Sequence, residues 1–313
     1  MGILVREVYA HRVRQLKAQR GHDILTIRRD QGPGERVLVL AEGVVMRVWA
    51  IAIASIFALV LCGSAAHGLL LPQPGPAAKQ GENPATTPAA RDEPWWMERH
   101  QQIVSSMPQH TDTQLLMIGD SITNNYDKAK PPDENFLPTW QQYYEPRKAL
   151  NLGFSGDTTA NVLWRIEHGE VDGLHPRATV VLIGTNNTGW KQQTAVVTEA
   201  GIDAVVKELR HRLPQMQILL LGILPSDLEP SKVKADQDVN RYLAEHYAHQ
   251  PYVHYLDIGQ IFFKDGRLDT TMFYDPRLKP PGHALHPDSN GQRKMAEAIE
   301  PLLSRLMHDA PTH

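Results

Sequence analysis

The run Leu115-Leu116-Met117-Ile118 stops abruptly at Gly119-Asp120-Ser121, and the change constrains the fold more than any other feature of the chain. A short, uninterrupted apolar run closed by a glycine reads as a strand covered on both faces, as parallel strands are in α/β sheets. The pattern recurs. Lys148-Ala149-Leu150-Asn151-Leu152 stops at Gly153, and Ala178-Thr179-Val180-Val181-Leu182-Ile183 stops at Gly184-Thr185-Asn186-Asn187. Gln217 to Leu221 and Val253 to Asp257 read as a fourth and a fifth strand. Helical stretches alternate with them: one through Val162, Leu163 and Ile166, with Asp157 or Thr158 as its cap, and one carrying Ile202, Val205, Leu209 and Leu213, closed by Pro214. A further helix covers Val233 to Ala248. The last starts near Gly291 and shows Met295, Ile299, Leu302 and Leu306 on one face, with Pro301 expected to kink it. Strands alternating with helices imply right-handed crossovers and a parallel sheet.

Ligands of open α/β sheets collect outside the carboxyl ends of the strands, where this chain puts small polar residues. Ser121 follows the first strand, Gly156 the second and Asn186 the third, while His286 stands in the loop leading into the last helix. Taken singly, these are a helix cap, a turn glycine, a strand-end asparagine and a surface histidine. Together they match what serine-based ester cleavage needs: a hydroxyl, a base to take its proton, and donors aimed at the oxygen that becomes negative. Ser121 is the candidate nucleophile and His286 the candidate base. The amides of Ser121 and Gly156 and the side-chain amide of Asn186 are the candidate oxyanion donors.

The blocks Gly119-Asp120-Ser121, Gly153-Phe154-Ser155-Gly156-Asp157, Gly184-Thr185-Asn186-Asn187 and Leu285-His286-Pro287 resemble those of the SGNH, or GDSL-type, hydrolases. Asn151-Leu152-Gly153, Gly156-Asp157-Thr158-Thr159 and Val162-Leu163-Trp164-Arg165 extend the likeness to the catalytic subunits of platelet-activating-factor acetylhydrolases, over about Trp95 to Leu306. The resemblance implies a flavodoxin-like three-layer α/β/α sandwich around a five-stranded parallel sheet, no cofactor or metal, and hydrolysis of small acyl esters. The Gly-x-Ser-x-Gly pentapeptide of α/β-hydrolases does not occur. One position departs from the family pattern, which has Asp three residues before the histidine; here that residue is His283. Asp275, ahead of an inserted Pro276-Arg277-Leu278-Lys279-Pro280-Pro281-Gly282, is the favoured base-orienting acid. His283 is the alternative, and a Ser-His dyad held by a backbone carbonyl is the third option.

Net charge and cysteine count narrow the partners. A net charge of -3 over 313 residues gives no basis for nucleic-acid binding, and Cys62, the sole cysteine, excludes an internal disulfide framework or a cysteine zinc site. Met46-Arg47 followed by the apolar run from Val48 has the layout of a secretory signal with a cut after Ala66, or of an uncleaved anchor extending through Leu71. The expected plan is an N-terminal extension over 1–45, non-native or cytoplasmic, a signal or anchor over 46–71, a Pro/Ala-rich tether over 72–94, and the hydrolase domain over 95–313. The domain is then periplasmic or secreted, touching a membrane only through residues 48–71. Small acyl esters, acetyl above all, or an O-acetylated saccharide are the expected substrates, since no long apolar lid segment is visible. Rival readings are acyl transfer to a sugar, a non-catalytic carbohydrate-binding protein on the same fold, and a metal site at His283, His286 and Asp288.

Overall fold

The computed structural model describes residues 38–39, 45–46, 83–132, 134–275 and 282–311. Its contacts divide the chain into Met1–Gln73 and Pro74–His313. In the first unit Leu38–Val39 pairs antiparallel with Val45–Met46. The apolar run over 48–71 lies outside the described residues, and among the described residues no helix is long and apolar enough to cross a membrane.

The second unit runs α1 (Pro94–Ser106), β1 (Leu115–Gly119), α2 (Ser121–Asn124), α3 (Leu137–Tyr143), β2 (Ala149–Gly153), α4 (Thr159–Glu167) and β3 (Ala178–Leu182). It continues with α5 (Thr185–Thr188), α6 (Ala195–Arg212), β4 (Gln217–Leu221), α7 (Pro230–His246), β5 (Val253–Leu256) and α8 (Ser289–Met307). The five strands form one parallel sheet in the order β2-β1-β3-β4-β5, the flavodoxin-like order that the resemblance implied. Strand bounds agree with the sequence pattern to a residue or so because the strands are mostly apolar, with Asn151, Thr179 and His254 as polar residues within β2, β3 and β5. Leu116 and Ile118 point to one core, with Val162, Ile202, Val205 and Val239, while Leu115 and Met117 point to the other, with Phe273, Met295, Ile299 and Leu303. The helix α8 runs through Pro301 to Met307. Two small antiparallel pairs, Ala129–Lys130 with Glu134–Asn135 and Phe263–Lys264 with Arg267–Leu268, lie outside the main sheet and were not anticipated from the pattern.

Register brings the candidate residues to one edge. Gly119, the last residue of β1, pairs with Gly153 of β2 and Leu182 of β3, so the chains leaving these adjacent strands emerge side by side. Gly153 is required there: a Cβ on it would lie 2.3 Å from the amide nitrogen of Asn124 in α2.

Residues 83–94 differ from the expected tether. Their composition is that of an extended linker, yet Ala85 is fully buried, Thr159 Oγ1 donates to its carbonyl at 2.8 Å, and the Ala89 amide donates to Ala160 O at 3.0 Å. Small residues let this segment lie close against α4. Trp96, the next large side chain, is buried, whereas Trp95 is exposed.

Candidate active site

Ser121 opens α2 directly after β1. Asp120 is the N-cap, its Oδ1 accepting the Ile122 amide at 3.0 Å. The Asp120 side chain is 1% exposed, and burial pushes its carboxyl up to about 6 despite that amide and the nearby His286. Gln292 Nε2, from α8, donates to Ile122 O at 2.7 Å and ties the turn to the last helix.

Ser121 Oγ lies 2.9 Å from His286 Nε2, and His286 Nδ1 lies 2.8 Å from Asp275 Oδ1. The tautomer that satisfies both bonds carries its proton on Nδ1 and donates it to the carboxylate, leaving Nε2 to accept the serine hydroxyl. Asp275 Oδ2 accepts the His286 amide at 2.6 Å, and the Gly282 amide donates back to Asp275 O at 2.9 Å. Phe273 and Pro287 form an antiparallel bridge beside them, and the Tyr274 ring stacks on the imidazole with centroids 5.5 Å apart. Burial opposes ionisation of Asp275, but the hydrogen bonds and charge of His286 outweigh it and hold the carboxyl below the ordinary range.

His283 is turned elsewhere. Its Nδ1 lies 3.0 Å from Asp227 O and 3.4 Å from Asp227 Oδ1, on an exposed loop, so it is Asp275 and not His283 that stands against the His286 imidazole. Asp288 caps α8 through the Gly291 amide at 2.8 Å. Hence His283, His286 and Asp288 face different partners, and among the described residues no group of three His, Cys, Asp or Glu is placed to hold a metal ion.

Gly156 sits in the loop after β2 with φ +83°, a left-handed conformation that glycine adopts without strain. The two asparagines after β3 divide their labour. Asn187 is fully buried, and its amide is spent on Thr159 and Gln193, at 2.9 and 2.8 Å, with Oδ1 accepting the Thr159 amide at 3.1 Å. Asn186 is half-buried and commits one Nδ2 bond, 2.9 Å to Asp157 O, which leaves a second N–H. Behind it, Thr188 donates to Asp236 at 2.6 Å, and Lys232 pairs with the same buried carboxylate at 2.5 Å, pinning α5 to α7.

The loop after β2 rests on a charged network that the sequence pattern did not disclose. Asp157, read from sequence as a possible cap, is buried and accepts Trp96 Nε1 at 2.7 Å and Arg165 Nε at 2.8 Å. Arg165, also buried, continues to Glu170, which bonds His100 Nδ1 at 2.8 Å, and its guanidinium stacks 4.0 Å above the Phe154 ring. Capping of α4 falls instead to Thr158 and Asn161, whose Oδ1 accepts the Thr158 amide at 2.9 Å. An arginine within an amphipathic helix was the only available signal; its carboxylate partners lie 8 and 5 residues away, but the side chains that complete the network, Trp96 and His100, come from 61 and 70 residues away.

Residues 117–294 match the model of the GDSL-like lipase/acylhydrolase family. The chain is 31% identical over 232 residues to the platelet-activating factor acetylhydrolase IB subunit alpha1 of Homo sapiens, covering 72% of this chain and 92% of that one. To the alpha2 subunit of Gallus gallus it is 29% identical over 235 residues, covering 73% and 94%. Among solved structures, a candidate acylhydrolase from Bacteroides fragilis superposes with a TM-score of 0.53 at 18% identity, covering 69% of this chain and all of that one, a likeness of fold. The family match spans the strand ends that carry Ser121, Gly156, Asn186 and His286, and the similarity to the acetylhydrolase subunits runs nearly their full length: the chain belongs to the GDSL-like lipase/acylhydrolase family and is a carboxylic ester hydrolase.

Proposed function

We propose that the protein hydrolyses short-chain acyl esters, acetyl above all, through Ser121, His286 and Asp275, with the oxyanion held by the amides of Ser121 and Gly156 and by Asn186 Nδ2. The observation that carries this reading is the continuous chain Asp275 Oδ1 to His286 Nδ1, 2.8 Å, and His286 Nε2 to Ser121 Oγ, 2.9 Å, at the carboxyl edge of the sheet. His286 takes the Ser121 proton as Oγ attacks the acyl carbon, and Asp275 stabilises the imidazolium that forms. Negative charge then develops on the carbonyl oxygen, next to donors already in place. The imidazolium returns its proton to the departing alcohol, and water, deprotonated by the same base, releases the acid from the acyl-serine.

The acetyl preference is supported by the name of the curated relatives, acetylhydrolase, and by the lack of a long apolar lid segment in the sequence. Small acyl esters and O-acetylated saccharides are the substrates we assign. The basic start and apolar run over 46–71 support an extracytoplasmic location, with residues 48–71 as the sole membrane contact.

Hydrolysis of p-nitrophenyl acetate, butyrate and octanoate by the full chain and by Ser121→Ala tests the assignment. The expected result is fastest turnover of acetate and loss of all three activities in the variant. Faster turnover of octanoate would overturn the chain-length assignment, and activity retained in Ser121→Ala would overturn the nucleophile.

A further inference from the structure

We infer that Arg91, on the segment that leads into α1, and Trp96, in the first turn of α1, both upstream of the family-matched residues 117–294, are positioning residues for the oxyanion donors. The inference rests on the reading of Gly156 and Asn186 as those donors. Arg91 Nη1 donates to Ser155 O at 2.7 Å. The carbonyl of Ser155 and the N–H of Gly156 belong to one planar trans peptide group and point in opposite directions, so fixing the carbonyl fixes the direction of the amide. The guanidinium is itself oriented: Nε and Nη2 grip the two oxygens of Glu93 at 3.2 and 2.6 Å, turning Nη1 toward the loop. It also packs so closely that a Cβ on Gly156 would lie 2.6 Å from Nη1. Rotating this peptide requires Arg91 to move.

Trp96 fixes the next residue. Its Nε1 donates to Asp157 Oδ1 at 2.7 Å, while the backbone carbonyl of Asp157 accepts Asn186 Nδ2 at 2.9 Å, so Asp157 joins two of the donors. The segment that carries Arg91 is anchored independently of the site: Ala85 is buried and accepts Thr159 Oγ1, and Ala89 exchanges bonds with α4, its amide with Ala160 O and its carbonyl with Asn161 Nδ2, at 3.0 and 2.9 Å. Residues 83–96 thus form a strap across the oxyanion loop. Preorganised donors act on the transition state and little on substrate binding, so the strap is read in kcat.

The test uses the full chain and the variants Arg91→Ala, Arg91→Lys, Trp96→Phe and Asn186→Ala. Turnover of p-nitrophenyl acetate is normalised to the sites titrated to completion by a fluorophosphonate, with thermal unfolding followed alongside. Trp96→Phe keeps an aromatic ring against Phe154 and Trp164 and removes the N–H. The strap predicts a fall in kcat per titrated site of about tenfold to a hundredfold for Arg91→Ala and about tenfold for Trp96→Phe, since small misplacements cost factors of this size. KM should stay within about twofold, and Arg91→Lys should recover part of the loss. Fewer titratable sites or a lower melting temperature with unchanged kcat per site would make the strap merely structural and overturn the inference. If Asn186→Ala loses activity while the Arg91 and Trp96 variants keep theirs, the strap alone fails. If Asn186→Ala also keeps its kcat, the oxyanion assignment fails and the strap with it.

Discussion

On the β2 side of Ser121, the loop over 153–159 is held by Arg91 and Trp96, 64 and 61 residues from their partners, and by the nearer Arg165, with Glu170 behind it and His100 reaching Glu170 across 70 residues. On the other side, Asp275 and His286 are joined by bonds made within 11 residues, in a loop stapled by its own backbone. The difference follows from what each side must do. Under the proposed roles, donors for a developing oxyanion act only if they are fixed before charge appears, and a buried network of ion pairs and hydrogen bonds fixes them. A base needs only a carboxylate at its Nδ1, and a loop can bring one from more than one sequence position. That is why Asp275, eleven residues before the histidine, can stand where the family pattern has an acid three residues before it.

Asp275→Ala should lower kcat/KM for p-nitrophenyl acetate by up to about ten-thousandfold, since it removes the group that holds the imidazole in its working tautomer. Denaturant unfolding should move much less than the rate. His283→Ala should leave the rate near that of the parent, because its partner is Asp227 and not His286; equal, mild losses in both variants would instead favour a dyad. Arg165→Met is the counterpart. It strands Asp157 and Glu170 in the core and should cost about 3–5 kcal/mol of unfolding free energy, measured by urea titration. Asn186→Ala should reduce kcat by about a hundredfold to a thousandfold with little change in KM, the signature of a lost oxyanion donor.

The smallest effect is a pH slope at Asp120. Burial raises its carboxyl from 3.8 to about 6, so between those values the folded protein holds the proton more tightly than the unfolded chain does. Stability contributed at this position therefore rises as pH falls through that window. In Asp120→Asn that slope should vanish, changing the stability difference from the parent by up to about 3 kcal/mol between neutral pH and about pH 4. Parallel pH–stability curves for the two proteins would remove the carboxyl from the account.

Much of the sheet and its edge was legible because the first three strands are mostly apolar and run into a glycine, so Ser121, Gly156 and Asn186 could be placed at strand ends from the pattern. That β1, β2 and β3 lie side by side was implied by the family resemblance, since sequence order alone does not place β1 between β2 and β3. The pairing of Asp275 with His286 was legible only as a preference, since the residues between them had to fold back. The charged network was not legible. Arg165 is one polar residue in an amphipathic stretch, and nothing local tells that it is buried between Asp157 and Glu170. Residues 83–94 misled for a related reason: small, Pro-rich composition cannot build a core of its own, but it can lie against one that is already built, as Ala85 does.

Activation of Ser121 is read from the intact mass of the full chain after exposure to a fluorophosphonate, beside Ser121→Ala. One stoichiometric adduct is expected on the parent and none on the variant. An unmodified, folded parent, or an adduct that persists in Ser121→Ala, would contradict it.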